Sequence, residues 1–158
     1  MRVIALDPGG STGWATLEEL VAQPNDPDLP YGGIRFECGV LGPKPHHSEL
    51  REMLENFVPN VVISESFMYR NTSRTGLVLD SVEYIGILKL FCHNSGARYV
   101  EQSPAQAKGF VKDTTLKKIG WYSTVTHSRD AARHLMYYLV NSGATPEIAH
   151  YILDKAFR

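Results

Sequence analysis

The sequence has little cysteine and no long apolar run. Only Cys38 and Cys92 occur among its 158 residues, without the CxxC spacing that is typical of zinc and redox sites. No apolar run approaches the roughly 20 residues that a transmembrane helix needs. The opening residues, MRVIAL, read as a strand rather than as a secretory segment. These absences predict an intracellular, cytoplasmic protein without structural disulfides.

Net charge is also nearly absent, at −1. The average conceals an asymmetry, because residues 1–65 hold four Lys and Arg against ten Asp and Glu, whereas residues 66–158 hold twelve against seven. Such a separation can place a basic face beside an acidic pocket, although scattered, solvated charges are the alternative. With 43% hydrophobic residues, we expect a single domain over residues 1–158 with its own core.

The first part of the chain has the pattern of an antiparallel meander. Strands are expected over residues 2–6, 12–17 and 34–41, with a long exposed connection at about 18–33. The glycines after the first strand are expected to allow a tight turn and to keep bulk away from what binds there.

The rest of the chain alternates between helical and strand patterns. A helix that Ser48 caps is predicted first, and an apolar strand of the kind buried in a parallel sheet follows it. A loop-rich region is expected around residues 112–118. Helices are predicted over 45–57, 77–97, 103–111, 126–140 and 145–157, and strands over 61–67 and 97–102. This order predicts an α/β, ribonuclease H-like fold, in which a mixed five-stranded sheet is flanked by helices.

Four polar side chains are candidates for one site. Asp7 closes the first strand and Glu65 lies near the end of the apolar strand VVISES, so both carboxylates emerge at one end of the sheet if these strands are neighbours. His127 and Asp130 lie at positions i and i+3 of a predicted helix and therefore share one face. We expect the four to converge with no basic residue among them, which requires a neutralising cation. Oxygen ligands with one imidazole suit Mg²⁺ or Mn²⁺.

Each candidate also has an ordinary structural explanation. Asp7 suits the turn DPGGSTG, and Glu65 can form an ion pair with Arg70 or Arg74. The other two residues suit the first turn of a helix. One shared site explains all four positions better than four separate coincidences.

The chain resembles the RuvC-type Holliday junction resolvases, in particular the phage members of that family. The resemblance extends through nearly the whole chain and rests on IALDPGGSTGWA, VVISESF, QSPAQAKGFV, LKKIG and THSRDAARHLMYYL. It implies a metal-dependent crossover junction endodeoxyribonuclease that cuts branched DNA in recombination and repair and leaves 5′-phosphate and 3′-hydroxyl ends. It also implies two Mg²⁺ or Mn²⁺ ions per site, held by Asp7, Glu65, His127 and Asp130. Many members of the family have an aspartate in place of His127.

The same resemblance implies where DNA binds. Lys108 and the Lys117–Lys118 pair match lysines that contact the DNA backbone in the family. Residues suited to stacking on an unpaired base are Tyr69, in a polar loop, and Phe67, which continues a predicted strand and suits the core better. Residues expected to contact DNA phosphates are Lys108, Lys117, Lys118, Arg70 and Arg74.

The helix at about 77–93 is apolar on more than one side. The corresponding helix builds the dimer interface in the family, so we expect a homodimer that makes two symmetric incisions. A helix buried within the monomer is the alternative. Two other functions compete: a broader nuclease for flaps, forks or RNA-containing duplexes, and a non-catalytic nucleic-acid-binding module on the same fold. A phage-encoded protein of this kind would act in the host cytoplasm.

Overall fold

The computed structural model describes residues 1–20, 33–42, 45–67, 79–143 and 146–157. The strands within these residues are β1 (Arg2–Asp7), β2 (Gly13–Leu20), β3 (Gly33–Val40), β4 (Val61–Glu65) and β5 (Arg98–Gln102). The helices are α1 (His47–Phe57), α2 (Asp80–Ser95), α3 (Pro104–Phe110), α4 (Asp113–Ile119), α5 (Thr126–Asn141) and α6 (Pro146–Phe157).

The strands form one mixed sheet in the order β3-β2-β1-β4-β5. The first three strands pair antiparallel, whereas β4 is parallel to β1 and β5 is parallel to β4. Leu6 pairs with Ser64 across β1 and β4, so the next residues, Asp7 and Glu65, emerge at the same edge of the sheet. The predicted ribonuclease H-like α/β fold is confirmed.

Both faces of the sheet are covered, which explains the nearly continuous apolar runs of β1 and β4. Alternate residues of β1 point to opposite faces. Val3 and Ala5 pack in a core built on α5 and α6, and Ile4 and Leu6 pack in a second core with α1 and α2. The helix α5 crosses β1, β2 and β4, which brings its first turns to the edge where β1 and β4 end.

The predicted connection at 18–33 is too long at both ends. Residues 18–20 continue β2 and residue 33 begins β3, while residues 21–32 lie outside the described residues. Charged side chains hold this extension together, because Glu18 accepts contacts from Arg2 at 2.9 Å and Arg35 at 3.3 Å. Polar residues that suggested a loop therefore form cross-strand pairs on an exposed part of the sheet.

Three local predictions were wrong. Ser48 does not cap α1, because the helix begins at His47 and His46 occupies the N-cap position. The apolar strand ends at Glu65, and Phe67 beyond it is 38% exposed rather than part of the core. The loop-rich region is the helix α4, which buries Leu116 and ends at Gly120 in the left-handed conformation, with φ 79°.

Two later helices begin at a proline. Ser103 caps α3 in a capping box with Gln106, and Pro104 is the first residue of that helix. Pro146 is the first residue of α6, where the fixed φ of proline is favourable. No described helix combines the length and apolar character that crossing a membrane demands.

Candidate active site

The ends of β1 and β4 and the start of α5 meet at one edge of the sheet. Asp7 is 9% exposed and Asp130 is 5% exposed. His127 Nδ1 donates a hydrogen bond to Asp7 Oδ2 at 2.7 Å. Lys108 on α3 joins the other two carboxylates, since its Nζ lies 3.0 Å from Asp130 Oδ2 and 3.6 Å from Glu65 Oε2. The structure therefore brings together all four predicted site residues.

A glycine allows the first turn of α5 to reach this position. Gly13 is the β2 partner of Asp7, and a Cβ placed on it would be 2.1 Å from the backbone carbonyl of His127. No side chain fits into this gap, so the helix can approach the sheet this closely only because residue 13 is glycine. The glycines were expected to allow a tight turn and to keep bulk away from what binds there; close packing of a helix against Gly13 was not predicted.

A turn after β1 is fixed by buried polar contacts. Thr12 Oγ1 contacts the backbone oxygen and nitrogen of Gly9 at 3.2 and 3.3 Å. It also lies 2.7 Å from Nε2 of His46, whose ring stacks on Tyr84 at 4.1 Å. These contacts hold the chain immediately after Asp7 in a defined position.

The surroundings of Asp7 disfavour its ionisation. Burial raises the pKa of Asp7, and the charges of Glu65 and Asp130 raise it further. The hydrogen bond from His127 lowers this pKa and offsets only part of the increase. Ionised Asp7 is therefore held in an environment that a cation would stabilise.

The expectation that no basic residue lies in the cluster was wrong. Arg133 forms hydrogen-bonded ion pairs with Asp130 and with Asp113 of α4, and Lys108 bridges Asp130 and Glu65. Burial lowers the pKa of Lys108, but the hydrogen bond to Asp130 and the nearby carboxylate charges outweigh it and raise this pKa overall. The positive charges of Lys108 and Arg133 thus neutralise carboxylates of the site, a role that was predicted for a metal alone.

Glu65 has a buried partner that the sequence analysis missed. His134 Nε2 lies 2.8 Å from Glu65 Oε2, and His134 Nδ1 lies 2.9 Å from Gln102 Oε1. The predicted partners Arg70 and Arg74 lie outside the described residues. The available signal was spacing, because His134 follows Asp130 by four residues and so lies on the same helical face.

The donor set suits a divalent cation in chemical type: three carboxylates and one imidazole. Within the described ranges, however, no three His, Cys, Asp or Glu side chains are already arranged to hold a metal ion. The ammonium of Lys108 occupies the space between two of the carboxylates. This side chain is 43% exposed, so it can move aside and leave oxygen ligands for a metal.

The predicted DNA-contacting lysines lie in different environments. Lys108 belongs to the acidic cluster, whereas Lys117 and Lys118 are exposed in the last turn of α4. The Lys117 ammonium lies 4.6 Å from the ring centroid of Tyr122, and Arg129 also approaches that ring at 5.5 Å. Tyr69, like Arg70 and Arg74, falls outside the described residues.

The helix α2 is apolar on two sides. Tyr84 and Leu88 are buried against the sheet and α1. On its surface, Leu79 just before the helix is 40% exposed, Val82 is 42% exposed and Leu90 is 60% exposed. The predicted broad apolar surface is thus present and is not buried within the monomer.

The chain is similar to known proteins in sequence and in fold. No family model matches the chain. A curated relative, the crossover junction endodeoxyribonuclease RuvC of Caldanaerobacter subterraneus subsp. tengcongensis, is 30% identical over 114 residues. The aligned part covers 68% of this chain and 66% of the relative. The chain belongs to the RuvC-type family. It spans just under two thirds of the length of that curated RuvC protein.

Solved structures show the same fold as this RuvC-type chain. The Thermus thermophilus RuvC structure has a TM-score of 0.61 at 17% identity, over 87% of this chain and 95% of the other. A second structure of that protein, in complex with a Holliday junction substrate, has a TM-score of 0.61 at 16% identity, over 87% and 94%. The fowlpox virus Holliday junction resolvase has a TM-score of 0.56 at 18% identity, over 88% and 97%.

Proposed function

We propose that this RuvC-type chain is a metal-dependent, structure-specific endodeoxyribonuclease that resolves Holliday junctions or other branched DNA. The observation that carries the proposal is the meeting of Asp7, Glu65 and Asp130, from three separate elements, at one edge of the sheet. A purely structural role does not explain three carboxylates gathered at one edge, where burial and the charges of Glu65 and Asp130 oppose the ionisation of Asp7.

The four site residues have distinct roles in this proposal. Asp7, Glu65, Asp130 and His127 hold two Mg²⁺ or Mn²⁺ ions, which when bound supply Lewis-acid activation of water and stabilisation of the leaving oxygen. The Nδ1 of His127 donates to Asp7, which fixes the orientation of the ring and leaves Nε2 as the nitrogen that would hold a metal. Hydrolysis leaves a 5′-phosphate and a 3′-hydroxyl.

DNA is held by the basic residues near this edge. Lys117 and Lys118 on α4 contact phosphates and position the substrate without reading its sequence. Lys108 moves from Asp130 and Glu65 to a phosphate as DNA and metal enter. The exposed ring of Phe67 follows β4 and can stack on an unpaired base. The remaining proposed contacts are Arg70, Arg74 and the ring of Tyr69.

Two symmetric cuts require two active sites, which we assign to a homodimer formed through α2. The exposed apolar side chains Leu79, Val82 and Leu90 support this assignment, because solvent exposure of such a patch is unfavourable in a monomer. We also infer action in the cytoplasm, consistent with cysteines 38 and 92 both being free.

The proposal is tested by cleavage of synthetic DNA in Mg²⁺ and in Mn²⁺. Four-way junctions, flaps, forks and linear duplex are compared as substrates for the wild type, Asp7→Asn and Asp130→Asn. We expect the wild type to cut branched DNA in preference to duplex, and each variant to lose at least about 100-fold in rate, as expected when a metal-binding carboxylate is removed. Glu55→Gln, which alters an exposed carboxylate on α1, serves as the control and is expected to cut normally.

Other outcomes select other functions. Unchanged cutting by Asp7→Asn would contradict the proposed site, and equal cutting of linear duplex would contradict structure specificity. Preference for flaps, forks or RNA-containing duplexes would indicate the broader nuclease. Junction binding without any cleavage by the wild type would indicate a non-catalytic binding module.

A further inference from the structure

His134 is a buried polar side chain in apolar surroundings. It is fully buried on α5, and its sequence neighbours Leu135 and Met136 are fully buried core residues. A polar group in such a position is unfavourable unless hydrogen bonds satisfy it. Both ring nitrogens of His134 have partners, Glu65 on one side and Gln102 on the other.

These partners belong to adjacent strands. Glu65 and Gln102 are paired residues at the ends of the parallel strands β4 and β5, and the backbone N–H of Ser66 donates to the Gln102 carbonyl at 2.8 Å. Gln102 is only 5% exposed. The imidazole therefore lies between the buried side-chain amide of Gln102 and a candidate metal ligand.

The contact to Glu65 does not depend on the protonation state of the histidine. As an imidazolium, His134 donates from both nitrogens, to the Glu65 carboxylate and to the Gln102 amide oxygen. As a neutral ring with the proton on Nε2, it donates to Glu65 and accepts from Gln102 after the amide group turns over. In both states the Nε2–H group donates to Glu65 Oε2.

We propose that His134 is a positioning residue that fixes the orientation of the Glu65 carboxylate. Gln102 holds the imidazole ring through its hydrogen bond with Nδ1. The hydrogen bond to Oε2 restricts rotation of the carboxylate. This restriction keeps Glu65 in place when Lys108, the other group near Oε2, leaves for the DNA. This inference rests on the proposed function and adds a residue that contacts neither metal nor DNA.

Two substitutions separate positioning from packing. In His134→Gln, the side-chain amide nitrogen can take the place of Nε2 and donate to Glu65. In His134→Asn, the shorter amide takes the place of Nδ1, so it reaches Gln102 but not Glu65. Met136→Leu, at a buried position of the same helix without a polar contact to the site, is the matched control for disturbance of the core.

Three quantities are measured for each variant: the single-turnover cleavage rate, junction affinity in EDTA, and Mn²⁺ affinity by electron paramagnetic resonance. We expect His134→Asn to lose about 10- to 100-fold in cleavage rate and in Mn²⁺ affinity, the range typical of residues that orient metal ligands. Junction affinity in EDTA stays unchanged. His134→Gln and Met136→Leu stay within about threefold of the wild type in all three quantities.

A measurement on the wild type keeps the test independent of how the variants fold. With ¹⁵N-labelled histidine, the Nε2–H group of His134 gives an NMR signal protected from solvent exchange. We expect this signal to shift on addition of Mg²⁺, because the Glu65 carboxylate then changes its charge environment. A signal that Mg²⁺ leaves unmoved, at concentrations that support full cleavage, would overturn the proposal.

The variants overturn it in a different way. If His134→Asn binds Mn²⁺ and cuts junctions like the wild type, His134 is only a satisfied core residue. The same conclusion follows if the Gln and Asn variants lose activity in proportion to lost thermal stability. Asp7→Asn separates this failure from that of the proposed function. An active Asp7→Asn contradicts the nuclease site itself. An inactive Asp7→Asn supports the nuclease site, so that only the positioning role of His134 is overturned.

Discussion

Gly13 and the carbonyl of His127 approach each other so closely that a Cβ on residue 13 would lie 2.1 Å from the His127 carbonyl carbon. Gly13 is also the strand partner of Asp7, which accepts the His127 hydrogen bond. The absence of a side chain at residue 13 thus determines how closely α5 can approach β2.

Gly13→Ala should therefore impair both stability and cleavage. The added methyl must push the first turn of α5 from the sheet, at a cost of about 1–3 kcal/mol. The displaced His127 loses its contact with Asp7, and a shift of this size lowers the cleavage rate by at least about 10-fold. Urea unfolding and the junction assay measure the two effects.

Gly109→Ala on α3 is the control, because its Cβ meets nothing within 4 Å. It should gain about 0.5–1 kcal/mol from the better helix propensity of alanine and cut normally. Wild-type stability and activity in Gly13→Ala would show that α5 does not need this close approach.

Asp7→Asn should be inactive yet more stable than the wild type. Because burial and the neighbouring carboxylates raise the pKa of Asp7 in the folded state, its ionisation opposes folding. This penalty is present above the raised pKa and fades as pH falls through that pKa towards the ordinary value of 3.8. Thermal unfolding in EDTA should show a melting temperature higher by a few degrees at pH 7.

The advantage of Asp7→Asn should shrink on acidification. Adding Mg²⁺ should also raise the melting temperature of the wild type and not that of the variant, since a ligand stabilises the state that binds it. A variant less stable than the wild type at neutral pH would contradict the raised pKa.

Lys108→Met tests whether this lysine neutralises the acidic cluster before metal binds. Without divalent cations, loss of the ammonium between Glu65 and Asp130 should cost about 1 kcal/mol, a modest value because the lysine is 43% exposed. With Mg²⁺ the difference from the wild type should shrink, because the metal takes over the neutralisation. Urea unfolding with and without Mg²⁺ gives both numbers.

Lys89→Met is the matched control for Lys108→Met. Lys89 forms an exposed ion pair with Glu101 at 3.3 Å, which has no part in the proposed metal site. Its small stability change should be the same with and without Mg²⁺. The same Mg²⁺ response in both lysine variants would argue against a specific role for Lys108.

Replacing Lys117 and Lys118 together by glutamine should weaken junction binding with little effect on the metal site. Loss of two phosphate contacts should reduce the slope of log affinity against log salt by about 2. Fluorescence anisotropy over a range of NaCl concentrations measures this slope. Lys155→Gln on α6 is the control and should leave the slope unchanged; an unchanged slope in the double variant would remove α4 from the DNA interface.

Leu90→Glu should convert the proposed dimer to a monomer. A carboxylate at this exposed apolar position of α2 would be buried without a partner on association. Leu153→Glu introduces the same charge at a 38% exposed leucine of α6 and should leave the mass unchanged. Light scattering compares the three proteins, and a monomeric wild type would contradict the dimer directly.

The sequence predicted the sheet well because period-two and period-3.6 patterns are set by burial on each face. It also predicted that Asp7 and Glu65 come together, since adjacent parallel strands end at one edge. Segments with few apolar residues were harder to predict: the buried residues of α4 are Thr115 and Leu116, and a loop-rich region was expected there. Elements with a large buried face are therefore more predictable than short, largely exposed ones.

The site was less predictable in its pairings than in its positions. Nothing in the local sequence shows that Lys108, from a different helix, reaches Asp130, or that His134 meets Gln102. These contacts depend on how α3 and α5 are placed against the sheet, which is a tertiary property. The charge pattern alone therefore indicated an acidic site but not the cations that it contains.

Because of the placement of α5, the stability of the site depends on the stability of the whole protein. This helix supplies His127, Asp130 and His134, while its other residues form much of the core against β1, β2 and β4. Hydrogen exchange of its backbone amides should therefore proceed through global rather than local opening. Inactivation by heat or protease should then coincide with unfolding, with no populated state that is folded and has lost its site.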